Sequence, residues 1–167
     1  MALIRMDIQS VVVGAGPVAS MIILKPRHDK TLAKLPIRIG SFEATAISMG
    51  VEGHRRNRPM THDLMCDLIQ KLGSSVSCVV ISDVRGSTFF AQVRLSNGVG
   101  EDVCIDARPS DALALAVRVH APIFAEEDVI DRAALPDFGA VERDEREREA
   151  EAFHNFVQNV SPDDFVG

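Results

Sequence analysis

The chain reads as an α+β domain, a mainly antiparallel or mixed sheet with helices packed on it, followed by a charged C-terminal helix. Three observations predict this. Short runs rich in Val and Ile are separated by Gly- and Asn-containing steps of hairpin length. Two or three segments open on Ser, Thr or Pro-Ser and continue with helical spacing. From Val141 onward the composition changes to ERDEREREAEAF, which is strongly helical by propensity.

In chain order, residues 6–14 and 18–25 read as two strands, joined at Gly14-Ala15-Gly16-Pro17. Residues 26–34 are polar and loop-like. Residues 35–40 read as a short strand, and Pro36 predicts an edge position or a strand start because it cannot donate to a ladder. Ser41 is positioned to cap a helix to about Met49, and Thr61 a second one closed by Gly73. In that second helix Leu64, Leu68 and Leu72 fall on one stripe. Residues 75–84, 88–96 and 100–107 are three strands in sequence, hence an antiparallel meander. Pro109-Ser110 opens a helix of small apolar residues, which implies tight packing on the sheet. Ala121–Phe124 is a short extended piece, and Glu126 to about Ala134 a short helix.

The expected boundaries are one domain over 1–138 and a helical tail over 139–167. In the tail, Glu142/Arg146, Arg143/Glu147 and Asp144/Arg148 are spaced to pair along a helix surface. Phe153, Phe156, Val157 and Val160 form an apolar stripe needing a partner surface, either on its own domain or on a second subunit or other protein.

With 46% apolar residues in 167, the chain has material for a core, built without Trp or Tyr. No apolar run approaches the length needed to cross a bilayer. The N-terminal stretch is interrupted by Asp7, Gln9 and Ser10 and reads as a strand, not a signal peptide. Cys66, Cys78 and Cys104 are odd in number and lie in apolar patterns, so buried reduced thiols and a cytoplasmic location are expected. The net charge of −6 argues against a basic nucleic-acid coat. Residues 142–167 carry −5 of it, leaving the rest of the chain near neutral.

Three segments hold polar residues beyond what core and turns require. In Gly40-Ser41-Phe42-Glu43-Ala44, Glu43 answers the helix dipole or faces a cleft as metal ligand or general base. In Arg58-Pro59-Met60-Thr61-His62-Asp63-Leu64, capping and the dipole account for Thr61 and Asp63 but not for His62. With His54, Arg55, Arg56 and Arg58 before it, His62 is either solvated or set for phosphate contact, where guanidinium forks and helix N–H groups suit the oxygens. In Asp106-Ala107-Arg108-Pro109-Ser110-Asp111, Arg108 either ties the junction as an ion pair or leaves Asp106 and Asp111 at one mouth to hold Mg²⁺ or Mn²⁺. There is no GxSxG elbow, Gly-rich phosphate loop with Lys, HExxH or dinucleotide fingerprint.

LPIRIGSFEA at 35–44, RPMTHDL at 58–64, DARPSDALALA at 106–116 and APIF at 121–124, in this order, resemble the bifunctional nuclease family over about residues 6 to 135. FHNFVQNVSPDDF at 153–165 is similar to the end of some bacterial members. The resemblance implies a compact α+β fold, self-association as a homodimer or other homo-oligomer, and cleavage of both DNA and RNA. It carries Glu43, His62, Asp63, Asp106, Arg108, Ser110 and Asp111 into the family's polar positions. The resulting expectation is a phosphodiester hydrolase with Glu43, His62, Asp63, Asp106 and Asp111 as catalytic residues. A divalent metal would be held by some of Glu43, Asp63, Asp106 and Asp111. Arg55, Arg56, Arg58, Arg108 and Ser110 would bind phosphate. Segment 50–57, GVEGHRRN, is more basic than that family's pattern. The alternative is a non-catalytic module that binds an anion or a partner through structural polar junctions.

Overall fold

The computed structural model describes residues 2–14, 19–28, 34–53, 57–98 and 102–133. They fall within one compact unit, Met1–Leu135. The expected tail helix, with its ion pairs and its Phe153 to Val160 stripe, lies outside the described residues, as do His54, Arg55 and Arg56.

Seven strands, β1 (Leu3–Val12), β2 (Ser20–Pro26), β3 (Leu35–Ile39), β4 (Ser75–Arg85), β5 (Thr88–Ser96), β6 (Asp102–Ala107) and β7 (Ile123–Glu126), form one sheet. Four helices accompany them: α1 (Ser41–Val51), α2 (Thr61–Lys71), α3 (Pro109–Val119) and α4 (Glu127–Ala133). The strand order is β3-β2-β1-β7-β4-β5-β6, and every pairing is antiparallel except β4 with β7. The architecture is the α+β class that the sequence predicts.

β3 is an edge strand, so Pro36 withholds a donor only where no further strand waits for it. The β4–β5–β6 meander closes its first hairpin at Gly86-Ser87, with Gly86 at φ +60°, a region that a side chain disfavours. α3 then brings the chain back, and β7 enters between β1 and β4. The sequence marks that piece only as short and extended. Long-range pairing with Leu3–Met6 and Val79–Ile81 makes it a central strand. It runs on to Glu126, so α4 starts one residue later than expected.

The core lies between one sheet face and α1, α3 and α4. Ile22, Leu24, Leu35, Ile37, Val79 and Ile81 from the strands meet Ile47, Leu113, Val129 and Ile130 from the helices. Ala112 to Ala116 are all buried, so α3 is enclosed on nearly every side, and its alanines let the neighbouring elements pack close between Leu113 and Leu115. α1 and α3 approach closely at Gly50, where a Cβ would stand 2.5 Å from Val117 Cγ2.

α2 differs from its expectation. Its Leu64, Leu68 and Leu72 stripe faces outward, with Leu72 81% exposed, and none of its residues is buried. The half-buried positions are His62, Asp63, Cys66 and Ile69, also at helical spacing, and they form the inner face. The helix therefore turns its polar residues toward α3. The cysteines also divide. All three are free, Cys66 and Cys78 are half-buried, and Cys104 is exposed because β6 is the other edge of the sheet. No helix among the described residues is long and apolar enough to cross a membrane.

Candidate active site

α1, α2 and α3 start near their expected places, but each cap sits earlier than expected, by one residue at α1 and α2 and by two or more at α3. Gly40, Met60 and Arg108 are the extended N-cap residues, and none caps through its own side chain. Their carbonyls accept the first helical bonds, from Ala44, Leu64 and Ala112 N–H respectively. Ser41, Thr61 and Ser110 are thereby moved inside the helices. At α2 the Asp63 carboxylate accepts the Met60 N–H at 2.9 Å, which supplies the cap from the helix interior.

The starts of α1, α2 and α3 contribute to one chain of polar contacts. Arg108 donates from Nε to Asp111 Oδ2 at 2.8 Å, from Nη2 to Asp111 Oδ1 at 3.2 Å, and from Nη1 to Glu43 Oε1 at 3.2 Å. His62 Nε2 lies 3.2 Å from Asp111 Oδ1. Glu43, His62 and Asp111, far apart in sequence, are thus joined through one guanidinium and one carboxylate. Burial pushes the Asp111 carboxyl up, but its bonds from Arg108 and His62 outweigh that and hold it below the usual carboxylate range. Arg108 is held more firmly charged by Asp111 and Glu43. Its side chain is 66% exposed, whereas that of His62 is only 13% exposed.

Asp63 belongs to a separate pair. Its Oδ1 accepts from Arg118 Nε at 2.6 Å. Arg118 Nη1 also donates to the carbonyls of Ala46 in α1 (3.0 Å) and Ala114 in α3 (2.8 Å). One largely buried cation therefore fastens three helices together. Burial raises the Asp63 carboxyl, and the Met60 N–H and Arg118 bonds more than reverse it. Arg118 was not singled out from the sequence. The available signal was a lone charge near the end of an apolar helix, which requires a partner when buried.

Asp106 lies elsewhere. Its neighbour Ala107 pairs with Ala91, a core residue, so strand alternation turns Asp106 to the other face of the sheet, beside Gln92. It is exposed on the edge strand β6. Arg58 is exposed in the turn before α2. Ser110 is buried in the first turn of α3.

Beside Glu43 and Arg108 opens a cleft of about 340 Å³, lined also by Gly40, Ser110 and the β4–β5 hairpin residues Ser87, Thr88 and Phe89. His62 and Asp111 are not among its lining residues. A larger cleft, about 470 Å³, borders Asp63, Cys66, Asp67, Arg118 and His120. Burial there pushes the Cys66 thiol up, away from nucleophilic use.

The four carboxylates expected to hold a divalent cation do not fit one. Glu43 and Asp111 are engaged by Arg108, Asp63 by Arg118, and Asp106 faces away. Among the described residues no three His, Cys, Asp or Glu side chains converge as a cation site. What the cluster offers is a hydrogen-bonded imidazole beside an exposed guanidinium.

The family model described as the bifunctional nuclease domain matches residues 22–137. Two uncharacterized proteins from strains of Mycobacterium tuberculosis are each 44% identical over 139 residues, covering 78% of this chain and 80% of theirs. "Bifunctional nuclease 2" of Arabidopsis thaliana is 30% identical over 106 residues, which cover 62% of this chain and 32% of the plant protein. "Bifunctional nuclease 1" from the same plant is 31% identical over 104 residues. The matched region spans about a third of either plant protein.

Proposed function

We propose, from the premise that the chain belongs to the bifunctional nuclease domain family, that it hydrolyses phosphodiester bonds of DNA and RNA, with His62 as the proton-transfer group and Arg108 as the phosphate ligand. The observation that carries this reading is the 3.2 Å contact between His62 Nε2 and Asp111 Oδ1, with Asp111 itself forked on Arg108.

An imidazole bound through Nε2–H to a carboxylate keeps its lone pair on Nδ1 and its ring in one orientation. In the proposed step, Nδ1 takes a proton from water as the water oxygen bonds to phosphorus. The phosphorus–oxygen bond to the leaving nucleotide then breaks. The leaving oxygen recovers a proton from the imidazolium or from solvent. Arg108 offsets the charge that accumulates on the non-bridging oxygens. Attack by water rather than by a 2′-hydroxyl is what a substrate range that includes DNA demands. No step passes through a metal, because Glu43, Asp63 and Asp111 are committed to arginines and Asp106 lies on the other sheet face.

The test is cleavage of labelled single-stranded DNA and RNA by the full chain and by His62→Ala, each purified identically. The expected loss is about a hundredfold or more. Equal activity in the two proteins would assign the signal to a contaminant and end the reading.

A non-catalytic module is the second reading, and one observation favours it: Arg108 neutralises both nearby carboxylates, as a structural junction would. Wild-type protein that leaves both nucleic acids intact would select it.

A further inference from the structure

The cleft next to Glu43 is lined by a residue whose hydroxyl no described residue uses. Ser110 is 5% exposed and lines the cleft. Among the described residues nothing hydrogen-bonds its hydroxyl. Ser110 is nearly buried as a residue, and its hydroxyl borders the cleft without a partner among the described residues, so that hydroxyl is open to a ligand there.

The donors around it are of one kind. α3 begins with Pro109, which has no N–H, and the Asp111 and Ala112 N–H groups both go to the Arg108 carbonyl. The Ser110 N–H is therefore left outside the α3 ladder. Ser87 and Thr88, two hydroxyl-bearing residues of the β4–β5 hairpin, also line the cleft. Arg108 brings a guanidinium with only part of its N–H set engaged.

Glu43 supplies the remaining observation. Its carboxylate folds back over Gly40 so closely that a Cβ at Gly40 would collide with Oε2. Gly40 is in ordinary extended conformation, so its dihedral freedom is not used, and the atom that a Cβ would meet is the movable end of Glu43. Glu43 thus places an anionic group at the start of α1 and against Arg108, where helix N–H groups and a cation favour negative charge.

We infer that this cleft is a binding site for a phosphate group, with the Glu43 carboxylate as its internal competitor. A tetrahedral phosphate has enough oxygens to use hydroxyls, a backbone N–H and a guanidinium together, which a planar carboxylate has not. The ligand enters by taking over Arg108 from Glu43. The site shares Arg108 with the hydrolase reading but not His62, so either can fail without the other.

The experiment titrates inorganic phosphate into the full chain by calorimetry. It uses wild type, Ser110→Ala, Glu43→Gln and His62→Ala, with circular dichroism to confirm that each is folded. Glu43→Gln is expected to bind about tenfold more tightly and Ser110→Ala about tenfold more weakly than wild type. His62→Ala is expected to bind as wild type does, whether or not it cleaves nucleic acid. Absence of binding by both wild type and Glu43→Gln overturns the inference, as does a Ser110→Ala affinity equal to wild type. A His62→Ala loss as large as that of Ser110→Ala also overturns it, since the anion would then lie on the imidazole side of Arg108.

Discussion

His62 Nε2 meets Asp111 Oδ1 at 3.2 Å although 49 positions separate them in the chain. The contact exists because α2 turns its polar face inward and α3 presents the third position of its first turn. Asp111→Asn tests what the carboxylate does. The amide keeps the shape, but it can offer Nδ2–H to the imidazole and so favour the opposite tautomer. Cleavage is expected to fall about tenfold to a thousandfold with little change in melting temperature. Unchanged cleavage would show that the imidazole needs no orienting anion.

The two arginines at the helix starts and ends are expected to separate function from stability. Arg118 has a side chain only 10% exposed and serves Asp63 and two carbonyls on separate helices. Arg118→Ala leaves a partly buried carboxylate and two carbonyls without their cation, a loss of about 3–5 kcal/mol. Arg118→Lys is expected to recover little, since an ammonium lacks the planar fork that reaches all three. Arg108 is 66% exposed, and solvent screening limits its removal to about 1 kcal/mol or less. Thermal denaturation checks the order: a drop of ~10 °C or more for Arg118→Ala against a few degrees for Arg108→Ala. The reverse order would make Arg108 the structural junction and support the non-catalytic reading.

How much of this was legible varies by residue. Strand alternation and turn residues placed the hairpins, and Pro36 placed an edge. The three polar segments were visible because each held more polar side chains than a cap or turn needs. Periodicity found the apolar stripe of α2 but could not say that this stripe faces outward, since a pattern gives a helix two faces and not their directions. The partner of Arg118 was hidden for a similar reason: it is fixed by tertiary packing of α1, α2 and α3. Asp106 was grouped with Asp111 by nearness in sequence, whereas alternation along β6 separates them, because Ala107 takes the core face. β7 has four residues, and nothing local distinguishes a short extended piece from a central strand.

Chelation gives a direct check on the chemistry. With Glu43 and Asp111 on Arg108 and Asp63 on Arg118, cleavage is expected to persist in excess EDTA. Abolition by EDTA with recovery on added Mg²⁺ or Mn²⁺ would require the carboxylates to leave their arginines and would discard the metal-free route.

A second ion cluster, remote from these residues in sequence, carries the pH prediction. Asp83 in β4 accepts from Arg132 Nη2 and from Arg85 Nε, both at 2.8 Å, and Arg132 also donates to the Val84 carbonyl at 3.0 Å. The cluster ties α4 to the end of β4. Arg132 first, then Arg85, lower the Asp83 carboxyl from 3.8 to about 2. Because the folded value lies below the unfolded one, the ionised carboxylate stabilises the fold above pH 3.8, and that stabilisation disappears as pH falls toward 2. Asp83→Asn is therefore expected to melt below wild type at pH 7, with the gap closing between pH 4 and about pH 2. Melting curves across that range decide it. A gap that stays constant with pH would mean that the asparagine disturbs packing and that the charge contributes nothing.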